Sequence, residues 1–288
     1  IIDNTSKQYD KSWRKRSRKI DSKFLIHFIL GILSNKDKGY AIILNKIWDI
    51  YLLKNIALPQ EKAFSQSSIC EARQKLSEDI FKDLNKNLIL EFEKNKENSS
   101  FMKDHRIFAV DGSKVTLPKN LENGDYKVNN EGAHYPKGLL SCIYNLQNYI
   151  IHDFCLKSSL NERTPALEHM ETLRKNDVVI FDRGYFSYYM LRACIEKEIH
   201  PIFRLQGGLR NKEIDDFIAS NQDDNIIEYI PASSMKYSLK KKGFSANIVP
   251  TKLRLIKYFI NDEIYILATT LLDQYRYKSS LFKDLYHR

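Results

Sequence analysis

Two apolar runs in this chain each end on an aspartate. Val178, Val179, Ile180 and Phe181 lead into Asp182, and Ile107, Phe108, Ala109 and Val110 lead into Asp111. Continuous runs of this kind, rich in β-branched residues, read as strands buried on both faces. In open α/β sheets, ligand sites lie outside the carboxyl ends of strands. If the two strands are neighbours, their carboxylates converge and repel each other when both are ionised. A divalent cation removes that repulsion, and Mg²⁺ is commonly held by a pair of carboxylates together with water and phosphate oxygens. Such a pair serves in-line phosphoryl displacement, one ion activating the attacking oxygen and another stabilising the leaving oxygen. Asp-Gly and Asp-x-Gly also spell ordinary turns, so a purely structural role competes at either position.

The charge balance adds a partner. Lys and Arg number 46 against 36 Asp and Glu, a net charge of +10. Such an excess favours a polyanion, although a solvated basic surface would have the same composition. A basic chain with paired carboxylates points to cutting or joining of nucleic acid. Other chemistries lack their spellings. Cys70, Cys142, Cys155 and Cys194 form no CxxC pair and no zinc spacing with histidine, and read as reduced core thiols. No phosphate-binding GxxxxGK[ST], dinucleotide glycine loop or serine nucleophile elbow occurs. The longest apolar run, 24–33, is interrupted by His27 and Gly31 and is too short to span a bilayer. With no signal peptide visible, a cytoplasmic protein without a membrane partner is expected.

The elements that must position the two aspartates can be read from periodicity. Residues 9–23 are polar and basic, with Arg14, Lys15, Arg16, Arg18 and Lys19 clustered beside Trp13. Apolar spacing in 24–53 predicts two helices broken near 35–39. Ser68 followed by Glu71 spells a capping box, so a short helix is expected over 69–76. An amphipathic helix follows through Ile80, Phe81, Leu84, Leu88 and Phe92, and KNKENSS (94–100) reads as a linker. Beyond it the period changes. Residues 106–118 read as a strand, a turn at Gly112 and a second extended piece. A hairpin turns near 145–148. A helix over 162–175 carries Pro165 in its first turn. Strand 177–182, helix 187–199 and strand 201–206 follow. A second hairpin crosses Asn261-Asp262, and a last helix begins near Ser279. The expected fold is α/β, a mixed sheet with flanking helices. The expected divisions are an N-terminal helical DNA-binding region (1–100), the first part of a catalytic core (101–206), a β-rich insertion (207–250) and the remainder of the core (251–288).

Further residues carry a functional and a bland reading each. Glu162 and Arg163 open a helix, where Glu162 either favours the helix dipole or supports the active site. Arg204 stands among apolar residues and needs a carboxylate or a DNA phosphate. Lys240, Lys241 and Lys242 form a run that contacts DNA phosphates or merely solvates a face. Arg73 points outward from a short helix that either enters a major groove or is plain structure.

The motifs together resemble a known family. FAVDGSKVTLP resembles the first acidic motif of bacterial insertion-sequence transposases with a DDE triad, of the subgroup marked by DRGY and a Y-R-E-K signature. DVVIFDRGYFSYYML resembles their second motif, SLNERTPALEHM their Asn-Glu-Arg segment, SSICEARQKLS an N-terminal segment, and LLDQYRYKSSLFKDLYHR the approach to the third motif. The resemblance implies a ribonuclease-H-like core with Asp111 and Asp182 as catalytic metal ligands for Mg²⁺ or Mn²⁺, two ions in all. It implies nicking at element ends and attack of the freed 3′-hydroxyl on target DNA. Arg183 and Tyr185 would lie near the DNA backbone. Tyr286 fits the first position of the third motif, whose Arg, Glu and Lys would then fall beyond Arg288, so that a chain truncated there would be crippled. The partners implied are double-stranded DNA, both the inverted-repeat ends and the target, with dimerisation on DNA, in the bacterial cytoplasm at the nucleoid. The alternatives are a DNA-binding remnant without catalysis and an unrelated metal-dependent nuclease.

Overall fold

The computed structural model describes residues 1–13, 19–94, 104–128, 134–209 and 211–287. The basic cluster Arg14, Lys15, Arg16 and Arg18 and most of the expected linker lie outside the described residues. The chain divides into two compact units, residues 1–96 and 97–288. Among the described residues no helix is long and apolar enough to cross a membrane.

The first unit is helical: α1 (Ile2–Trp13), α2 (Ser22–Ser34), α3 (Tyr40–Leu53), α4 (Gln66–Arg73) and α5 (Asp79–Lys94). Asp21 opens α2 by accepting from the Phe24 amide at 2.8 Å. Phe24 then meets Trp48, Tyr51 and Phe64 edge-on, at centroid distances of 6.0, 5.7 and 5.0 Å. Those contacts place Phe24 at the centre of a core completed by Leu25, Phe28, Ile43, Leu44 and Ile69. The expected capping box is corrected. Ser65, not Ser68, caps α4, accepting from the Ser68 amide at 3.2 Å. In a Ser-Gln-Ser-Ser run the hydroxyls are chemically alike, and only the chain path selects which one caps. The opening helix α1 was not foreseen in a segment dominated by charge.

In the second unit one mixed sheet of eight strands runs in the order β3-β2-β1-β4-β5-β8-β7-β6 among the described residues. The strands are β1 (Ile107–Thr116), β2 (Lys137–Asn145), β3 (Ile150–Lys157), β4 (Val178–Phe181), β5 (His200–Arg204), β6 (Asp224–Tyr229), β7 (Thr251–Ile260) and β8 (Glu263–Thr269). β1, β4 and β5 are parallel, and β2 and β3 return antiparallel on the far side of β1. This is the mixed α/β class expected, and the order β3-β2-β1-β4-β5 is the ribonuclease-H-like arrangement. β1 is one unbroken strand, not two pieces about Gly112: its second half stays in register with β2, from Gly112↔Ser141 to Thr116↔Lys137.

Helices cover both faces. α6 (Arg163–His169), α7 (Tyr188–Glu196), α8 (Lys212–Ala219) and α9 (Met235–Lys241) share a core with Phe108, Val110, Val179 and Phe181. α10 (Ser279–Tyr286) covers the other face, against Ile107, Ala109, Val178 and Ile180. The alternation along β1 and β4 follows from the pleat, which sends successive side chains to opposite faces. The hairpin of β7 and β8 turns on Asn261 and Asp262, whose φ values of 48° and 62° suit a primed two-residue turn. Segment 207–250 is corrected: it is not β-rich but holds two short helices, α8 and α9, and one strand, β6, which extends the main sheet. Ile214 and Phe217, three apart, bury one face of α8 where the sequence looked merely polar.

Candidate active site

The parallel ladder of β1 and β4 fixes the two aspartates. Its register ends at Val110↔Phe181, so Asp111 and Asp182 are the next residues on adjacent strands. A buried ion pair anchors that register from the other end. Arg106 donates to Asp177 through Nε at 2.9 Å and a terminal nitrogen at 2.5 Å, and the Val178 amide donates to the Arg106 carbonyl at 2.9 Å. By the pleat, Asp111 shares the face of Ile107 and Ala109, and Asp182 that of Val178 and Ile180. Both therefore belong to the α10 side, where both are exposed.

Contacts from α10 and β5 act on Asp182. The Tyr286 hydroxyl donates to Asp182 Oδ1 at 2.8 Å. The Arg204 guanidinium stands 3.6 Å from the same oxygen. Arg204 in turn lies 4.3 Å above the Tyr265 ring and 5.8 Å from that of Tyr286. Burial, and then the bond to Asp182, push the Tyr286 phenol far above its ordinary range, so it is a permanent donor at neutral pH. Glu263 approaches both Arg204 and Arg183 at 4.0 Å. Asp111 has a different neighbour. Cys142 pairs with it across β2, and burial followed by the Asp111 charge raises that thiol.

The first turn of α6 lies against the turn that follows β4. The Arg163 side chain donates to the Gly184 carbonyl at 2.7 Å and the Phe186 carbonyl at 3.3 Å. Glu162 makes no capping bond. Its side chain lies beside Gly112 and Gly184: a Cβ on Gly112 would meet Glu162 Cγ at 3.1 Å, and one on Gly184 would meet Oε2 at 3.7 Å.

The predicted residues thus sort by position. Asp111, Asp182, Arg204, Tyr286, Glu162, Arg163 and the exposed Arg183 gather about the carboxyl ends of the central strands β1, β4 and β5. Tyr185 is corrected: it is 1 % exposed, packs on Phe181 at 5.6 Å and presents no surface to a DNA backbone. Lys242 is half-buried, with its ammonium on Thr164 Oγ1 at 3.3 Å and over the Tyr189 ring. Lys240 and Lys241 remain exposed on α9. Arg73 is exposed in the first unit and donates to the Tyr40 hydroxyl at 2.6 Å.

Sequence reasoning missed Arg254. It is 0 % exposed, pairs with Asp224 at 2.5 and 2.7 Å, and donates to the Tyr277 carbonyl at 2.6 Å just before α10. Its signal was an arginine inside the apolar run of β7, since a charge there is retained only with a partner.

Two hard carboxylates on one face of adjacent parallel strands are a donor set that suits divalent cations. Among the described residues no three His, Cys, Asp or Glu side chains stand close enough to hold a metal ion.

A family model described as a transposase DDE domain matches residues 102–288. No curated protein matches the chain. Among solved structures, the chain is similar to the piggyBac transposase synaptic complex with hairpin DNA, seen by cryo-electron microscopy. The two share 10 % identity and a TM-score of 0.38, over 93 % of this chain and 57 % of that chain. The chain thus spans little more than half the length of that relative.

Proposed function

The chain belongs to the transposase DDE domain family, and from that premise we propose that it is the DNA transposase of a bacterial insertion sequence. It nicks the inverted-repeat ends of its element and joins the freed 3′-hydroxyl to target DNA. The observation that carries this reading is the adjacent register of Asp111 and Asp182 beyond the β1–β4 ladder. Asp111 and Asp182 would hold Mg²⁺ or Mn²⁺, two ions in all, which supply activation of the attacking oxygen and stabilisation of the leaving one. Tyr286 and Arg204 hold one oxygen of Asp182 and leave the other toward the cation. Arg183, exposed beside the pair, meets a DNA phosphate. Lys240 and Lys241 add sequence-independent attraction that falls with salt. The first unit reads DNA with α4, from which Arg73 projects. Joining two ends calls for a dimer on DNA, acting in the cytoplasm at the nucleoid.

Binding to duplexes carrying the inverted repeats that flank its gene, against scrambled ends, tests this reading. The expected result is end-selective binding that Mg²⁺ strengthens, with that strengthening lost in Asp182→Asn. Equal binding of scrambled ends, or an Asp182→Asn variant that still responds to Mg²⁺, overturns it.

A further inference from the structure

Behind the aspartate pair, on the α6 side of the sheet, stand two polar groups with no partner. The Tyr185 hydroxyl is buried and makes no hydrogen bond among the described residues. An unsatisfied buried hydroxyl is costly, and each one in a native fold calls for an explanation. Glu162 is half-buried and its carboxylate likewise has no hydrogen bond or ion pair among the described residues. It does not serve its helix, because Asn161 takes that task by accepting from the Arg163 amide at 3.1 Å.

The surroundings are shaped to admit Glu162. Gly112 follows Asp111 on β1, and Gly184 follows Arg183 after β4. A methyl group on Gly112 would crowd Glu162 Cγ and Leu139 Cδ1, each at 3.1 Å. The carboxylate therefore occupies a slot between the backbones that carry the two aspartates. Arg163, one residue on, fixes the far wall of that slot through Gly184 and Phe186. Burial, and after it the charge of Glu162, push the Tyr185 phenol far above its ordinary range, so the hydroxyl stays protonated and remains a donor. A donor and an acceptor that face one region without bonding directly are joined by water in many sites.

We propose that Glu162 and Tyr185 are positioning residues that hold, between them, a water from the hydration shell of a divalent cation seated on Asp111 and Asp182. This rests on the metal-site reading above. Mg²⁺ sheds its water reluctantly, so a site with two carboxylates gains by gripping the water that the ion retains. Glu162 accepts from that water and Tyr185 donates to it. The water is thereby aimed, and the cation is fixed from the face opposite α10.

Mn²⁺ titration of the whole chain, followed by electron paramagnetic resonance, tests the proposal on wild type, Asp182→Asn, Glu162→Gln, Tyr185→Phe and the Glu162→Gln/Tyr185→Phe double variant. Asp182→Asn should abolish binding. Glu162→Gln should weaken it by about tenfold, the usual scale for groups that orient a metal site from outside. Tyr185→Phe should weaken it by several-fold, with thermal stability equal to or above wild type, because an unpartnered buried hydroxyl has been removed. The double variant should be no weaker than Glu162→Gln, since the two act through one water. Wild-type affinity in Glu162→Gln, with Asp182→Asn still silent, overturns this proposal alone. Mn²⁺ binding that survives Asp182→Asn, or none in wild type, overturns the metal-site reading and this proposal with it.

Discussion

Tyr286 donates to Asp182 across 104 residues of chain, and this one bond joins the last helix to the tip of β4. Tyr286→Phe should lower stability by about 1 kcal/mol, the net worth of an ordinary hydrogen bond. It should also speed amide exchange in α10 while leaving β4 protected. Unchanged exchange in α10 would show that the helix is held by its apolar contacts alone.

Arg204 opposes any cation that approaches Asp182. Removing a guanidinium 3.6 Å from that carboxylate should favour a metal ion there. Arg204→Gln is expected to bind Mn²⁺ more tightly by about 1 kcal/mol, roughly fivefold, and duplex DNA more weakly. Calorimetric titrations with Mn²⁺ and with DNA separate the two effects, and a parallel loss of both would contradict the electrostatic account.

Arg254 is the largest fully buried side chain and carries a charge. Arg254→Ala takes the cation from the Asp224 carboxylate, leaving it only the Gln274 amide at 3.0 Å, and should cost about 3–5 kcal/mol. The loss should be visible in urea denaturation. It should exceed the loss in Arg276→Ala, whose pairing with Asp104 is exposed.

The two glycines beside Glu162 differ in tolerance. Gly112→Ala brings a methyl group to 3.1 Å from Glu162 Cγ and Leu139 Cδ1 and should cost about 1–3 kcal/mol. Gly184→Ala meets its nearest atom at 3.7 Å, an ordinary contact, and should leave the melting temperature close to wild type. Equal losses would show that the slot does not discriminate.

Alkali should unfold the second unit by way of its phenols. Burial pushes Tyr229 and Tyr258 up to about 12 from their ordinary 10.0. A folded value above the unfolded one means that this stability is complete below pH 10.0 and is lost as pH climbs through about 12. Denaturation at stepped pH, with tyrosinate absorbance recorded alongside, should show both phenols ionising only as the fold fails. Ionisation at the ordinary value without unfolding would contradict their burial.

Much of this arrangement was legible in the sequence because it is local. Alternation and turn chemistry gave the hairpin across Asn261 and Asp262, and the apolar runs ending in Asp111 and Asp182 gave two buried strands, whose parallel pairing comes from the fold. What was not legible depends on the path of the chain. Whether Tyr185 faces solvent is set by the turn after β4, which rolls the ring onto Phe181. Lys242 is half-buried because α9 brings it beside Thr164. The helices of 207–250 are short, and their few apolar residues gain meaning only against the sheet. The pairing of Arg254 with Asp224 spans 30 residues and follows from the register of β6 on β7.

Asp111 stands in mid-strand, with the β2 ladder continuing past it to Thr116. Asp182 stands just beyond its strand, outside the ladder, where a single turn bond from the Tyr185 amide to its carbonyl at 3.1 Å and the side chains of Tyr286 and Arg204 tether it. The first is a fixed datum and the second a movable jaw. Any adjustment of the gap between them must be made by swinging Asp182, and the handle on that jaw is α10.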